Sequence, residues 1–302
     1  MQILRYAAFT DTPAGGNPAG VVLDADGIDD VDMQRIAAEL GYAESAFVSG
    51  RTAGAASVRY FAPEAEIPFC GHATIATAVA LAELDGAGPL LLRTPVGPLR
   101  VSTAYDDGDR LIASLVTVEP WVRGMDPAVR GELLECLRLH GTDLSADLPV
   151  LLAFAGNAHP IVPVRDAGVL QALDHDHDAL RTLMASQAWG ATVAVVHRVG
   201  PDVFEARNPF PPGGVREDPA TGSAAASLGA YLRHLGEVTP PADITVHQGA
   251  QVGRPSVISV SIPTSGGLTD SGGAVPIDRI EVRVGVASDD RVSSFSTRGT
   301  SG

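Results

Sequence analysis

The chain has 302 residues, 45% hydrophobic and 19% charged, with a formal charge of −15. That length exceeds what one core usually holds, so two lobes are expected, and the acidic excess argues against nucleic acid or an anionic membrane surface as a partner. Two cysteines, Cys70 and Cys136, are too few for a disulfide framework and fit a reducing compartment; with no signal-peptide pattern at the start and no span-length apolar stretch, the expected location is the cytoplasm.

Residues 2–9 alternate loosely and predict a strand, 11–18 are dense in turn residues, and 19–23 predict a short buried strand. Residues 29–40 predict a helix: acidic at the start, Val31, Ile36, Ala37 and Leu40 at helical spacing, Gly41 as the stop. Glu44 falls between that stop and a strand starting near Ala46, where local sequence alone predicts a solvated loop carboxylate. Strands at 58–61, 90–92, 99–103 and 111–118 complete a strand-rich first lobe, and Glu119-Pro120-Trp121 reads as the crossing.

The second lobe opens with a helix to His140, capped by Asp126 with Pro127 at its first position. Strands follow at 150–154, 160–164, 191–197 and 203–207, then a helix at 221–235 and strands at 243–247 and 256–262. Residues 264–274, rich in Gly, Ser and Thr, predict a mobile loop, 280–286 the last strand, and the polar stretch from 289 a disordered tail. The expected division is 1–118, 119–288 and a tail of 289–302, with the last strand free to return to the first lobe.

One stretch occurs twice. Glu-Ile-Pro-Phe-Cys-Gly-His-Ala at 66–73 and Glu-Asp-Pro-Ala-Thr-Gly-Ser-Ala at 217–224 each run into a long small-residue segment, and an offset of 151 lays Glu66 on Glu217, Pro68 on Pro219, Gly71 on Gly222 and His72 on Ser223. Proline forbids a helix before it, and an apolar run with hardly a charge makes a helix that is buried on all sides. The first turn of such a helix leaves N–H groups unpaired, and with the helix dipole they attract an anion. Two of them suggest a clamp for a small anion between two similar lobes. A single continuous sheet would count against this duplication.

Other chemistries are weaker. Asp174-His175-Asp176-His177-Asp178 invites a metal, but the alternation before Ala179-Leu180-Arg181 reads better as a solvated helix start without recognised ligand spacing. Ser223, His72 and Asp218 are triad residue types, yet Thr221-Gly222-Ser223-Ala224 is not a nucleophile elbow. A symmetric two-thiol racemase is excluded because Thr221 stands opposite Cys70, which leaves a lone Cys70 base open.

Taken together, Gly16-Asn17-Pro18-Ala19-Gly20-Val21-Val22-Leu23, Gly41-Tyr-Ala-Glu44-Ser-Ala-Phe, Arg59-Tyr-Phe-Ala-Pro, Pro68-Phe-Cys-Gly-His72-Ala-Thr, Glu217-Asp218-Pro-Ala-Thr-Gly222-Ser223-Ala and Gly253-Arg-Pro-Ser resemble the PhzF family, phenazine-biosynthesis isomerases related to diaminopimelate epimerase. The resemblance implies an α+β fold of two similar lobes, each a mixed sheet wrapped around a central helix, with the active site between them. It also implies a homodimer, a small carboxylate substrate, and no cofactor or metal. It makes Glu44 the acid/base that moves a proton on a dihydro-hydroxyanthranilate ring, with His72, Asp218 and Ser223 assisting. Asn17, Cys70, Gly71, Thr221 and Gly222 fall at substrate-binding positions. An amino-acid epimerase using Glu44 with Cys70 or His72, and a non-catalytic binding protein, remain the alternatives.

Overall fold

A computed structural model of the chain describes residues 2–281. The expected tail at 289–302, and the strand expected at 280–286 beyond its first two residues, lie outside them. β1 (Gln2–Ala8) and β2 (Asn17–Val22) lead to α1 (Asp30–Leu40). The Asp29 side chain accepts from the Asp32 N–H at the start of α1, and Gly41 closes it in the left-handed conformation, as the sequence predicts. Then come β3 (Glu44–Thr52), β4 (Ala55–Phe61), β5 (Glu66–Ile67), α2 (Gly71–Asp85) and an antiparallel meander of β6 (Pro89–Thr94), β7 (Gly97–Tyr105) and β8 (Leu111–Val116).

Next come β9 (Trp121–Arg123) and α3 (Pro127–Cys136), which starts on the Asp126 cap. β10 (Leu151–Phe154), β11 (Ala158–Pro163), α4 (Ala167–Gln171), α5 (His177–Ser186), β12 (Ala194–Arg198) and β13 (Val203–Arg207) follow. The chain continues with α6 (Gly222–Leu235), β14 (Ala242–Gln248), β15 (Ser256–Ile262) and β16 (Thr269–Glu281). Among the described residues no helix is long and apolar enough to cross a membrane.

The sheet is mixed, with parallel pairs β2–β3, β4–β6, β11–β12 and β13–β14 among antiparallel ones. The hydrogen bonds do not divide into two sheets. They form one path from β1 to β9, because β16 pairs with β8 and β15 through its first residues and with β1 through its later ones. One continuous sheet is the outcome that counts against the duplication read from the sequence.

That strand corrects a second expectation. Residues 269–274 lie in β16 rather than in a mobile loop, and a side chain on Gly272 would run into the Phe9 ring; just before the strand, one on Gly267 would run into the Thr117 carbonyl. Gly-rich composition signals flexibility only where nothing presses against the backbone.

The two apolar helices fill different parts of the molecule. From His72 to Ala82 every residue of α2 is buried, and it packs on β1, β2, β3, β7, β8 and β16. α6 packs on β9, β10, β11, β15 and β16. Each fully buried Ile, Val or Leu on them contributes about 1.5–3 kcal/mol. Both helices begin at the offset read from the sequence, Gly71 and Gly222 being their first residues. They also touch each other.

Candidate active site

Glu44 opens β3, placed there by the left-handed turn at Gly41. Its carboxylate is 14% exposed and lies 3.4 Å from His72 Nε2. His72 is the second residue of α2, and its Nδ1 is 3.3 Å from Sγ of Cys70, the residue before the helix. Burial raises the Glu44 pKa to about 7, the charge of Asp218 adds to the rise, and a hydrogen bond with Cys70 opposes it. Burial lowers His72 to about 4, so the ring is neutral. The Cys70 thiol is pushed well above its usual range by burial and then by Glu44, so it stays protonated.

The facing group comes from the approach to α6. Asp218 is buried and raised to about 6 by that burial, while hydrogen bonds from Thr221 and Asn17 pull the other way. Asn17 Nδ2 donates to Asp218 Oδ1 at 2.8 Å and to the Ala220 carbonyl at 3.1 Å. A residue of β2 thus holds the loop before α6. Gln248 supports the same loop, donating to the Asp218 carbonyl at 2.7 Å and to Thr221 Oγ1 at 3.0 Å.

At the start of α6, Ser223 Oγ is 3.0 Å from His159 Nε2, and the other ring nitrogen is 2.9 Å from the Thr192 carbonyl. Neither helix has a side-chain cap, since neither Cys70 nor Thr221 bonds its first turn. The leading N–H groups at Gly71, His72, Gly222 and Ser223 are left for another acceptor.

The structure brings together Glu44, Cys70 and His72 on one side and Asn17, Asp218 and Thr221 on the other. Ser223 bonds His159 rather than His72, so the triad weighed from the sequence does not form. Glu44 is not a solvated loop residue: its side chain is 14% exposed, with His72 of α2 against it and the Asp218 charge near enough to raise its pKa. The run at 174–178 starts α5, where the Asp176 side chain accepts from the Ala179 N–H, but it is not uniformly solvated, since His175 is buried with neither ring nitrogen bonded. The repeated glutamates are structural: Glu66 makes a bidentate pair with Arg59, and Glu217 one with Arg207.

Two groups escaped sequence reasoning. His159 sits inside an apolar strand after a Gly156-Asn157 turn, and a histidine in such a strand was the only available signal. Asp270 on β16 is buried, its Oδ1 has no partner, and its carboxyl packs on Gly222; burial raises it to about 7.

Among the described residues one set of side chains has metal-ligand types in close reach, Glu44, Cys70 and His72, whose ligand atoms lie within 4.8 Å of one another. The contacts within that set are those of a shared-proton cluster. A groove of about 1150 Å³ lies apart, lined by residues such as Thr10, Tyr105, Arg110, His247 and Ser271, and none of Glu44, His72, Asp218 and Ser223 borders it.

Two carboxyls raised toward neutrality, a neutral imidazole and uncapped helix starts are the equipment of an acid–base enzyme. The family described as phenazine biosynthesis-like protein, PhzC-PhzF, matches residues 6–276. The uncharacterised isomerase YfhB of Bacillus subtilis is 31% identical over 273 residues, 88% of this chain and 92% of that protein. The trans-2,3-dihydro-3-hydroxyanthranilate isomerase of Pseudomonas fluorescens is 33% identical over 254 residues, 83% of this chain and 86% of that protein. The crystal structure of a PhzF-family phenazine biosynthesis protein from Bacillus anthracis superposes with a TM-score of 0.84 at 26% identity, covering 94% of this chain and 99% of that one. The chain belongs to the PhzC-PhzF family, and it is an isomerase.

Proposed function

We propose that the protein shifts a proton within a small, cyclic, carboxylate-bearing substrate similar to trans-2,3-dihydro-3-hydroxyanthranilate, with Glu44 as the acid/base. The observation that carries this is the Glu44 carboxyl, buried beside His72 with a pKa near 7. A group that takes a proton from one carbon and returns it to another works best when its pKa lies near the operating pH. The substrate carboxylate sits between the starts of α2 and α6, held by the N–H groups near Gly71, His72, Gly222 and Ser223, in a protein otherwise too acidic to attract anions. Asp218 faces Glu44 across the substrate, His72 anchors or relays, and Cys70, Thr221 and Asn17 shape the pocket. The step needs no cofactor and no metal, because one carboxyl that alternates between its two states suffices.

The same reading treats the chain as two lobes meeting near 119, one around α2 and one around α6, sharing β16. Their distinct packing partners support it. A homodimer in the cytoplasm completes the reading. Epimerisation by Glu44 and Cys70 as opposed bases fits less well: the two lie side by side, and the thiol holds its proton.

The test is incorporation of solvent deuterium into trans-2,3-dihydro-3-hydroxyanthranilate by wild type, Glu44→Gln, Asp218→Asn and Cys70→Ala. Exchange lost in Glu44→Gln and retained in Cys70→Ala is expected. Exchange at the wild-type rate in Glu44→Gln, with loss in Cys70→Ala, would make the thiol the base and sink the assignment.

A further inference from the structure

His159 is fully buried and belongs to a polar chain that ends at the candidate site: Asn208 Nδ2 donates to Thr192 Oγ1 at 3.1 Å, Thr192 meets His159 Nδ1, and His159 Nε2 meets Ser223. The Thr192 carbonyl, which only accepts, lies 2.9 Å from Nδ1 and assigns the N–H to that nitrogen; the competing arrangement, in which the Thr192 hydroxyl 3.0 Å away donates to a bare Nδ1, is the one the tautomer measurement below discriminates against. A neutral ring then has a bare lone pair at Nε2, and the Ser223 hydroxyl, 3.0 Å away, is the donor to it.

We propose that His159 is a positioning residue whose Nε2 accepts the hydrogen bond of the Ser223 hydroxyl, so that Ser223 presents only lone pairs to the substrate and selects one with an amino group next to its carboxylate. A serine hydroxyl has one hydrogen and two acceptor positions. The hydrogen goes to His159, and one acceptor position takes a long 3.4 Å contact from Asn157 Nδ2. The other is free on a half-buried side chain beside the uncapped N–H groups of α6. Donors for a carboxylate and an acceptor for an amine therefore stand side by side, which a plain carboxylic acid would use only in part. His159 is not a base for Ser223 as a nucleophile: among the described residues no carboxylate backs its ring, whose partners are Thr192 and Ser223, and burial penalises the imidazolium, lowering its pKa to about 4.

The inference rests on the reading of this cleft as the substrate site, so its experiment has an arm that needs no substrate. In protein labelled with ¹⁵N-histidine, His159, assigned by the signal missing from His159→Phe or, if that variant does not fold, His159→Gln, is expected to show a protonated Nδ1 and a bare Nε2. A protonated Nε2 overturns the proposal whatever the enzyme does. The second arm compares binding of 2-aminobenzoate and 2-methoxybenzoate, which differ in offering a donor or only an acceptor. Ser223→Ala is expected to weaken 2-aminobenzoate about tenfold, the worth of one hydrogen bond, and to leave 2-methoxybenzoate within about twofold. His159→Phe frees the hydroxyl to donate and is expected to move the preference toward 2-methoxybenzoate, a reversal that loss of packing would not produce. Equal weakening of both ligands by Ser223→Ala overturns the selectivity. If neither ligand binds, the carboxylate reading of the cleft fails, and the tautomer measurement still decides the role of His159.

Discussion

The starts of α2 and α6 share a sequence pattern and differ in how they are held. At α2, Gly71 has open space around it, and Glu66 pairs with Arg59 at the surface, the two side chains 37% and 34% exposed. At α6, Gly222 is pressed by the Asp270 carboxyl and the Phe9 ring, and the Glu217–Arg207 pair is buried, with side chains 5% and 9% exposed. One helix start therefore follows a partly exposed ion pair and a glycine with room around it, while the other is locked against Asp270 and Phe9 behind a buried pair. The same short sequence pattern thus starts a helix in two quite different surroundings.

The largest expected effect tests the division of labour. Glu44→Gln, on the α2 side, should lower kcat by about 10²–10⁴-fold with little change in ligand affinity, whereas Ser223→Ala, on the α6 side, should act mainly on affinity. Steady-state kinetics that showed the reverse would break the comparison.

Stability tests the locking. Glu217→Gln leaves the Arg207 charge buried without its partner and should cost about 3–5 kcal/mol, while Glu66→Gln at the exposed pair should cost about 0–1 kcal/mol. Denaturant midpoints separate the two, and equal losses would mean that burial of the pair does not matter. Next in size, Gly222→Ala should cost about 1–3 kcal/mol, since its methyl meets Asp270 and Phe9, and Gly71→Ala should change stability by less than about 0.5 kcal/mol.

The smallest effects are in pH dependence. Asp218 raises the Glu44 pKa, so Asp218→Asn should move the rising limb of the rate profile to lower pH, away from 7; a limb that stayed in place would show that Glu44 does not sense Asp218. For folding, the carboxyls of Glu44, Asp218 and Asp270 are raised from 4.5, 3.8 and 3.8 to about 7, 6 and 7. Raised acids bind more protons in the native state than in the unfolded one, so their contribution is full below about pH 4 and is lost as pH rises through 6 to 7. Asp270→Asn should therefore raise Tm at pH 8 but not at pH 4, a kcal/mol being worth about 2–4 °C in a chain of this size. An unchanged difference in Tm between the two pH values would mean that Asp270 does not titrate on folding.

How far each feature could be read from the sequence followed how local its cause is. The α1 boundaries were legible because Asp29 and Gly41 act within one turn, and both apolar helices were legible because an uncharged run of that length has nowhere to go but inside. Glu44 was misplaced by local rules, since what buries it lies on α2 and near Asp218, far along the chain. The mobile loop expected over 264–274 failed over 269–274 for the same reason, Gly272 and the preceding Gly267 being explained by Phe9 and Thr117.

By itself the sequence determined α1, α2, α3 and α6, most strands, the repeated pattern and, through resemblance, the residue types of the site, because propensity, capping and period act over a few residues. Only the tertiary structure decided that Ser223 bonds His159 across 64 positions, that Asn17 and Asp218 join across 201, and that β16 closes the sheet into one path. The shifts on Glu44, His72, Asp218 and Asp270 belong to the same class, because desolvation depends on everything that surrounds a group and nothing in its own sequence neighbourhood fixes that.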